Sequence, residues 1–240
     1  MSKLDASIAP AGQLGIQVAR GRTAATGGLD RIIWPRADRW TNILEHGLPQ
    51  RGLSDEVNRW RLRNARNLWR GARRIAAAKA MGIGHVFGAL YISVQRGNGD
   101  VVDYGLASLR VVTDTGVGFI VDAFQNLVEL ENMKYHGYGT GTTAESASQT
   151  GLITELTTQY ATDSTRPTGT TTEGGTANVY RSVATLSPDT GGTIAVTEHG
   201  IFSASSAGVM LDRSLFSAVN IVAASDSMTT TYDLTFPSGS

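Results

Sequence analysis

A helical repeat over residues 54–80 gives way near Gly84 to alternation with a period of two. That single switch restricts the chain to a helical front joined to a β-rich body. Ser54 stands where an N-cap is needed, with Asp55 and Glu56 at the positive end of the helix dipole. Arg73, Arg74 and Lys79 lie at the other end, where cations are favoured. At about 100° per residue, Arg59, Arg63, Arg66, Arg70, Arg73 and Arg74 fall in one arc. Val57, Trp60, Leu62, Ala65, Leu68, Trp69, Ala72, Ile75 and Ala76 occupy the opposite side, interrupted only by Arg61 and Asn64. The pattern predicts a basic amphipathic helix with one buried side.

Beyond Gly84, Val86–Val94 and Tyr104–Val112 read as strands joined by a hairpin at Gly97-Asn98-Gly99-Asp100, where Gly and Asn accept positive φ. A second helix is predicted near 115–130, because Phe119, Ile120, Ala123, Phe124, Leu127 and Val128 recur at three- and four-residue steps. Further strands are predicted at Lys134–Tyr138, Asn178–Leu186, Thr193–Ser203, Gly208–Phe216, Ala218–Val222 and Met228–Phe236. Residues 139–176 are Gly/Thr-rich and read as long loops, with Thr150–Thr158 as a possible short strand. This turn-rich spacing predicts a mainly β fold, an antiparallel β-sandwich of jelly-roll or Ig-like kind over 81–240.

Residues 1–53 have no sustained period and are broken by Gly12, Gly15, Gly21, Gly27 and Gly28 and by Pro10, Pro35 and Pro49. Isolated large side chains remain, among them Trp34, Trp40 and Ile43. The expected form is an extended arm whose anchors need cover from another surface, or from the chain's own domain. Charge divides the chain at the same place. Residues 1–80 carry 15 Lys and Arg against 6 Asp and Glu, and residues 81–240 carry 6 against 15. All four tryptophans lie in the first 80. The asymmetry implies association, with the acidic half of the same chain, a neighbouring copy or a separate acidic partner.

Cysteine is absent, which removes disulfides, thiolate metal sites and thiol nucleophiles. No apolar run approaches the roughly 18 residues that span a bilayer, and the first 30 residues lack a signal-peptide core, so a soluble protein is expected. Gly137-Tyr138-Gly139-Thr140-Gly141 lacks the Lys and following helix of a phosphate loop. His46, His85, His136 and His199 show no metal-ligand spacing, and no Gly-x-Ser-x-Gly elbow exists. The reading is a chain with no catalytic residues, no metal and no cofactor. Glu198 is expected to bond neighbouring backbone or Arg213. The Arg row could in principle meet DNA, but Trp60 and Trp69 lie away from it, which disfavours nucleic acid.

The stretch Lys134–Glu145, with its Gly139-Thr140-Gly141-Thr142-Thr143-Ala144 loop, resembles a module of tailed-bacteriophage structural proteins. So do Thr150–Glu155, Glu198-His199-Gly200-Ile201-Phe202, Gly208–Phe216 with its Met210-Leu211-Asp212-Arg213 core, and Thr231–Phe236. The resemblance covers about residues 105–237 and carries over no catalytic residue. It implies a β-sandwich virion component: a capsid decoration (cement) protein, or a tail, neck or fibre-attachment protein. Such a protein is assembled in the host cytoplasm and resides in the virion, bound to capsid or other virion proteins. The class also implies homo-oligomers, plausibly trimers. Within that frame Trp34, Trp40, Ile43, Arg59, Arg63, Arg66 and Arg70 are the expected interface. Gly200 would allow close strand approach, Phe202 and Phe216 would fill the core, and Glu198 and Arg213 would pair between strands.

Overall fold

The alternating segments beyond Gly84 form two antiparallel sheets, and the helical repeat before it forms a long helix laid against them. The computed structural model describes residues 40–81, 86–189 and 191–236. All of these fall within one compact unit, Ile33–Ser240. In chain order the elements are α1 (Trp40–Gly47), α2 (Asp55–Ala80), β1 (Phe87–Gln95), β2 (Val101–Val111) and α3 (Asp114–Phe124). They continue with β3 (Tyr135–Gly139), β4 (Thr170–Glu173), β5 (Val179–Leu186), β6 (Ile194–Phe202), β7 (Met210–Ile221) and β8 (Ser227–Thr235). One sheet has the order β2-β1-β8-β5-β4 and the other β3-β6-β7. The described chain is thus mainly β, with antiparallel sheets and a few helices.

Both sheets feed one core. Leu90, Ile92 and Val94 of β1 and Met228 and Tyr232 of β8 cluster with Tyr138 of β3, Ile201 of β6 and Leu211, Phe216 and Val219 of β7. The β1–β2 hairpin turns where expected, with Gly99 at φ +89° and Arg96 N–H donating to the Asp100 carbonyl at 2.8 Å. Asp226 holds the turn from the neighbouring loop, accepting from Gly97 N–H at 2.9 Å and pairing with Arg96 at 3.1 Å.

Four expectations are corrected. The irregular arm expected over 1–53 is a helix, α1, between Trp40 and Gly47, and the rest of the arm up to residue 39 lies outside the described residues. Gly208–Phe216 and Ala218–Val222 are one strand, β7. Its first seven residues are buried on both faces and only the remainder alternates, which splits the sequence pattern in two. Thr150–Thr158 forms no strand beyond a single bridge between Glu155 and Gly139, and the exposed polar edge strand β4 was not foreseen. The second helix stops at Phe124, because Asn126 takes positive φ and Leu127 N–H bonds back to the Asp122 carbonyl at 3.0 Å.

Candidate interaction surface

Helix α2 starts as its sequence dictates, with Val57 N–H donating to Ser54 Oγ at 3.3 Å. It then crosses the open edges of both sheets. β2 and β7 are each the last strand of their sheet, and an edge strand presents backbone groups that need partners. Three side chains of α2 meet that need. Trp60 Nε1–H donates to the Ser217 carbonyl of β7 at 2.8 Å. Asn64 accepts from Ser217 N–H at 2.9 Å and donates to the Ala107 carbonyl of β2 at 2.7 Å. Arg61 Nε–H donates to the Tyr104 carbonyl of β2 at 3.0 Å, and its Nη1 reaches the Leu48 carbonyl beyond α1 at 3.2 Å. Gly71 lets the helix come this near, since a Cβ there would lie 2.3 Å from the Leu109 carbonyl oxygen.

Arg61 and Asn64, which interrupt the apolar arc in sequence, are therefore buried. Leu62 and Trp69, expected on the buried side, are 68% and 56% exposed. The seam beneath the helix is narrow and combines apolar packing with strand-edge backbone groups, so it takes Val57, Trp60, Arg61, Asn64, Leu68, Ala72 and Ile75 and leaves Leu62 and Trp69 outside. Ile43, expected as an anchor on a partner, is buried within the chain's own fold. Trp34 lies outside the described residues, as does the side chain of Trp40. The inner face of α2 is a wall of the fold and needs no external cover.

The outer face is where Arg59, Arg63, Arg66, Arg70, Arg73 and Arg74 lie, all exposed. Of the six cations in the β-rich part, all but Lys134 are engaged in ion pairs among the described residues. Arg96 pairs with Glu56 and Asp226, Arg110 with Glu145, Arg166 with Glu155, Arg181 with Asp233 and Arg213 with Glu198. Its acids Asp100, Asp114, Glu129, Glu131, Asp163, Glu173 and Asp189 remain exposed. One helix face thus carries concentrated positive charge, and much of the remaining surface is negative.

The residues that drew attention as chemistry lie inside. Glu198 is fully buried and ion-paired to Arg213 at 2.6 Å. Its carboxylate accepts from Gly141 N–H at 3.0 Å, Thr154 N–H at 2.7 Å and Ile153 N–H at 3.1 Å. Arg213 also donates to the Thr143 carbonyl at 3.0 Å. Gly200 pairs across strands with Gly137, and a Cβ on Gly137 would strike the Phe202 ring at 2.7 Å. Phe202, under the Arg166 guanidinium at 3.5 Å, and Phe216 are both buried.

A second buried polar cluster joins residues far apart in sequence. His136 and His199 share a hydrogen bond of 3.0 Å, and His136 also meets Ser182 at 2.8 Å and Thr230 at 3.1 Å. Asp212 and Tyr232 lie nearby on β7 and β8, 3.4 Å apart, next to the close approach of Gly88. Nothing in the spacing of these residues joins them; only the sheet registers do. Among the described residues no group of three or more His, Asp or Glu could hold a metal ion.

This cluster sets a pH dependence. Burial holds His136 down to about 3, and burial with the His136 and Arg110 charges holds His199 well below 6.5. Both stay neutral in the folded chain, so their contribution is full above pH 6.5 and lost as pH falls toward 3. Asp212, raised by burial to about 7 from 3.8, acts in the opposite sense: its contribution is full below 3.8 and lost as pH rises through 7. Two histidines outweigh one aspartate. Stability to unfolding should fall on acidification from about pH 6.5 to 5. Urea unfolding across that range checks it, and stability that rises on acidification would contradict it.

No family model matches the chain, and no curated protein is similar to it in sequence.

Proposed function

We propose that this chain is a structural protein of a tailed-phage particle, a capsid decoration protein that docks on the head through its N-terminal region. The two sheets with one shared core support an antiparallel β-sandwich of jelly-roll or Ig-like kind. The separate motifs behind the phage resemblance meet around one carboxylate. The Gly139–Thr143 loop, Ile153 and Thr154, Glu198 and Arg213 are bonded to one another, so their joint occurrence in one order has a packing cause.

The observation that carries docking is the exposed arginine row on a helix whose other face is fixed in the fold. Among the described residues, Arg59, Arg63, Arg66, Arg73 and Arg74 take part in no ion pair. A row of guanidiniums on a fixed helix suits carboxylate recognition, because each planar fork offers paired donors and loses less freedom per hydrogen bond than an ammonium. The arm up to residue 39 adds apolar anchors such as Ile32, Ile33 and Trp34.

The test is incorporation. Arg63→Glu, Arg66→Glu and Arg70→Glu together should reduce copies per particle by about tenfold or more, the equivalent of at least about 1.4 kcal/mol. The melting temperature should stay unchanged, since all three side chains are exposed. Unchanged incorporation would refute docking by this face. Electron cryomicroscopy of the particle gives copy number, and a few copies at one vertex would move the protein from head to neck or tail.

A further inference from the structure

Helix α3 is amphipathic in the wrong direction for a surface helix. Phe119 and Gly116 face the fold, while Val117, Val121 and Phe124, spaced i, i+4 and i+7, point outward at 50%, 49% and 82% exposure. The chain then turns at Asn126 and adds Leu127 and Leu130 to the same run, at 68% and 42%. Thr113 caps the helix by accepting from Gly116 N–H at 3.0 Å, and it donates to the Met210 carbonyl of β7 at 2.7 Å. The ridge is therefore preformed on a rigid support, which lowers the entropic cost of binding. Large apolar side chains left exposed in such a cluster along the chain suit an interaction site.

Every charged residue along this stretch of the chain is acidic. Asp114, Asp122, Glu129 and Glu131 flank the apolar residues, and the sequence holds no Lys or Arg between Arg110 and Lys134. The outer face of α2 is the complement: six arginines, with exposed Leu62 at the edge of their arc. From Arg59 to Arg74 that face runs for about 22 Å, against about 15 Å for α3 plus the turn that follows it. Phe124 and Leu62 are among the most exposed apolar residues, so the two faces do not cover each other within one chain. The match is available only between chains.

We infer that the arginine face of α2 in one copy docks on the α3 ridge of a second copy, with Leu62 against the ridge and the arginines on its acidic rim. This rests on the reading of the protein as an assembly component and names one partner as a second copy of the chain. The two surfaces differ, so the contact is heterologous. Each copy added leaves one free surface of each kind, and repetition closes a ring or extends a filament.

The test uses two full-length variants. One carries Arg63→Glu, Arg66→Glu and Arg70→Glu; the other carries Val121→Lys and Phe124→Lys. All five side chains are exposed, so both variants should melt with the wild type. In sedimentation velocity the wild type should self-associate, about tenfold or more weakly at 500 mM than at 50 mM salt. Each variant alone should be monomeric. Mixed in equal amounts they should form a dimer and nothing larger, because one intact arginine face and one intact ridge remain. A monomeric wild type, variants that associate like wild type, or a mixture that stays monomeric would each overturn the inference. A monomeric wild type would also point to the basic N-terminal segment of the same chain as the ridge's occupant. If charge reversal still blocked particle incorporation in that case, the assembly reading would stand and the self-contact alone would fall.

Discussion

Replacing Glu198 with alanine is expected to lower the unfolding free energy by roughly 3–5 kcal/mol, the largest loss for any single polar side chain of this protein. The substitution leaves the Arg213 guanidinium buried without its counter-charge. It also orphans the amides of Gly141, Ile153 and Thr154. The loop has grown around this carboxylate, since a Cβ on Gly139 or Gly141 would sit 2.5 or 2.4 Å from Glu198 Oε1 or would displace it. Glu198→Gln keeps shape and one acceptor but not the charge, so its loss should be intermediate. Removing both partners, as Glu198→Ala with Arg213→Met, should recover part of the loss, because an unpaired buried charge is costlier than an apolar pair. Urea denaturation of the three variants decides the matter. A loss under about 1 kcal/mol for Glu198→Ala would place the pair in the range of surface ion pairs.

Trp60→Ala should be nearly as damaging, at roughly 3–5 kcal/mol, with a melting temperature lower by about 10 °C. The indole is 1% exposed, packs on Tyr104 with ring centroids 5.0 Å apart, and supplies the donor for the β7 edge. Leu62→Ala, two residues away on the outer face, should change stability by no more than about 0.5 kcal/mol. The contrast separates a helix built into the fold from one merely attached to it. If Trp60→Ala and Leu62→Ala were equally mild in a thermal melt, α2 would be an appendage.

The sequence made the broad outline legible because the hydrophobic period reports backbone geometry directly. The switch near Gly84, the Gly97–Asp100 turn and the Ser54 cap each rest on local chemistry, and each has its counterpart in the structure. What was illegible depends on surroundings. An amphipathic reading turns Leu62 and Trp69 inward and treats Arg61 and Asn64 as breaks in the buried arc, because it assumes an apolar surface beneath the helix. The surface instead includes a pair of strand edges, whose backbone groups take Arg61 and Asn64 as partners beside the apolar contacts. The same assumption hid the outward ridge of α3, whose repeat of Phe119, Ile120, Ala123 and Phe124 signals a helix without saying which face is buried. The spacing of Glu198 and Arg213 allows a pairing that the structure's bonds define, while His136 and His199 stand as isolated residues in the sequence. They meet only through the register of β3 on β6, where Gly137 lies opposite Gly200. Strand β4, four exposed polar residues, carries no apolar signal at all.

Amide hydrogen exchange along α2 probes most directly the claim that one face of this helix is structural and only the other is free for partners. Amides from Trp60 to Ile75 should be protected as strongly as those of β1 and β8, opening only with the whole fold. Exchange in α2 that is orders of magnitude faster than in β1, with the sheets still protected, would mean the helix undocks by itself, and the division of its two faces would not hold.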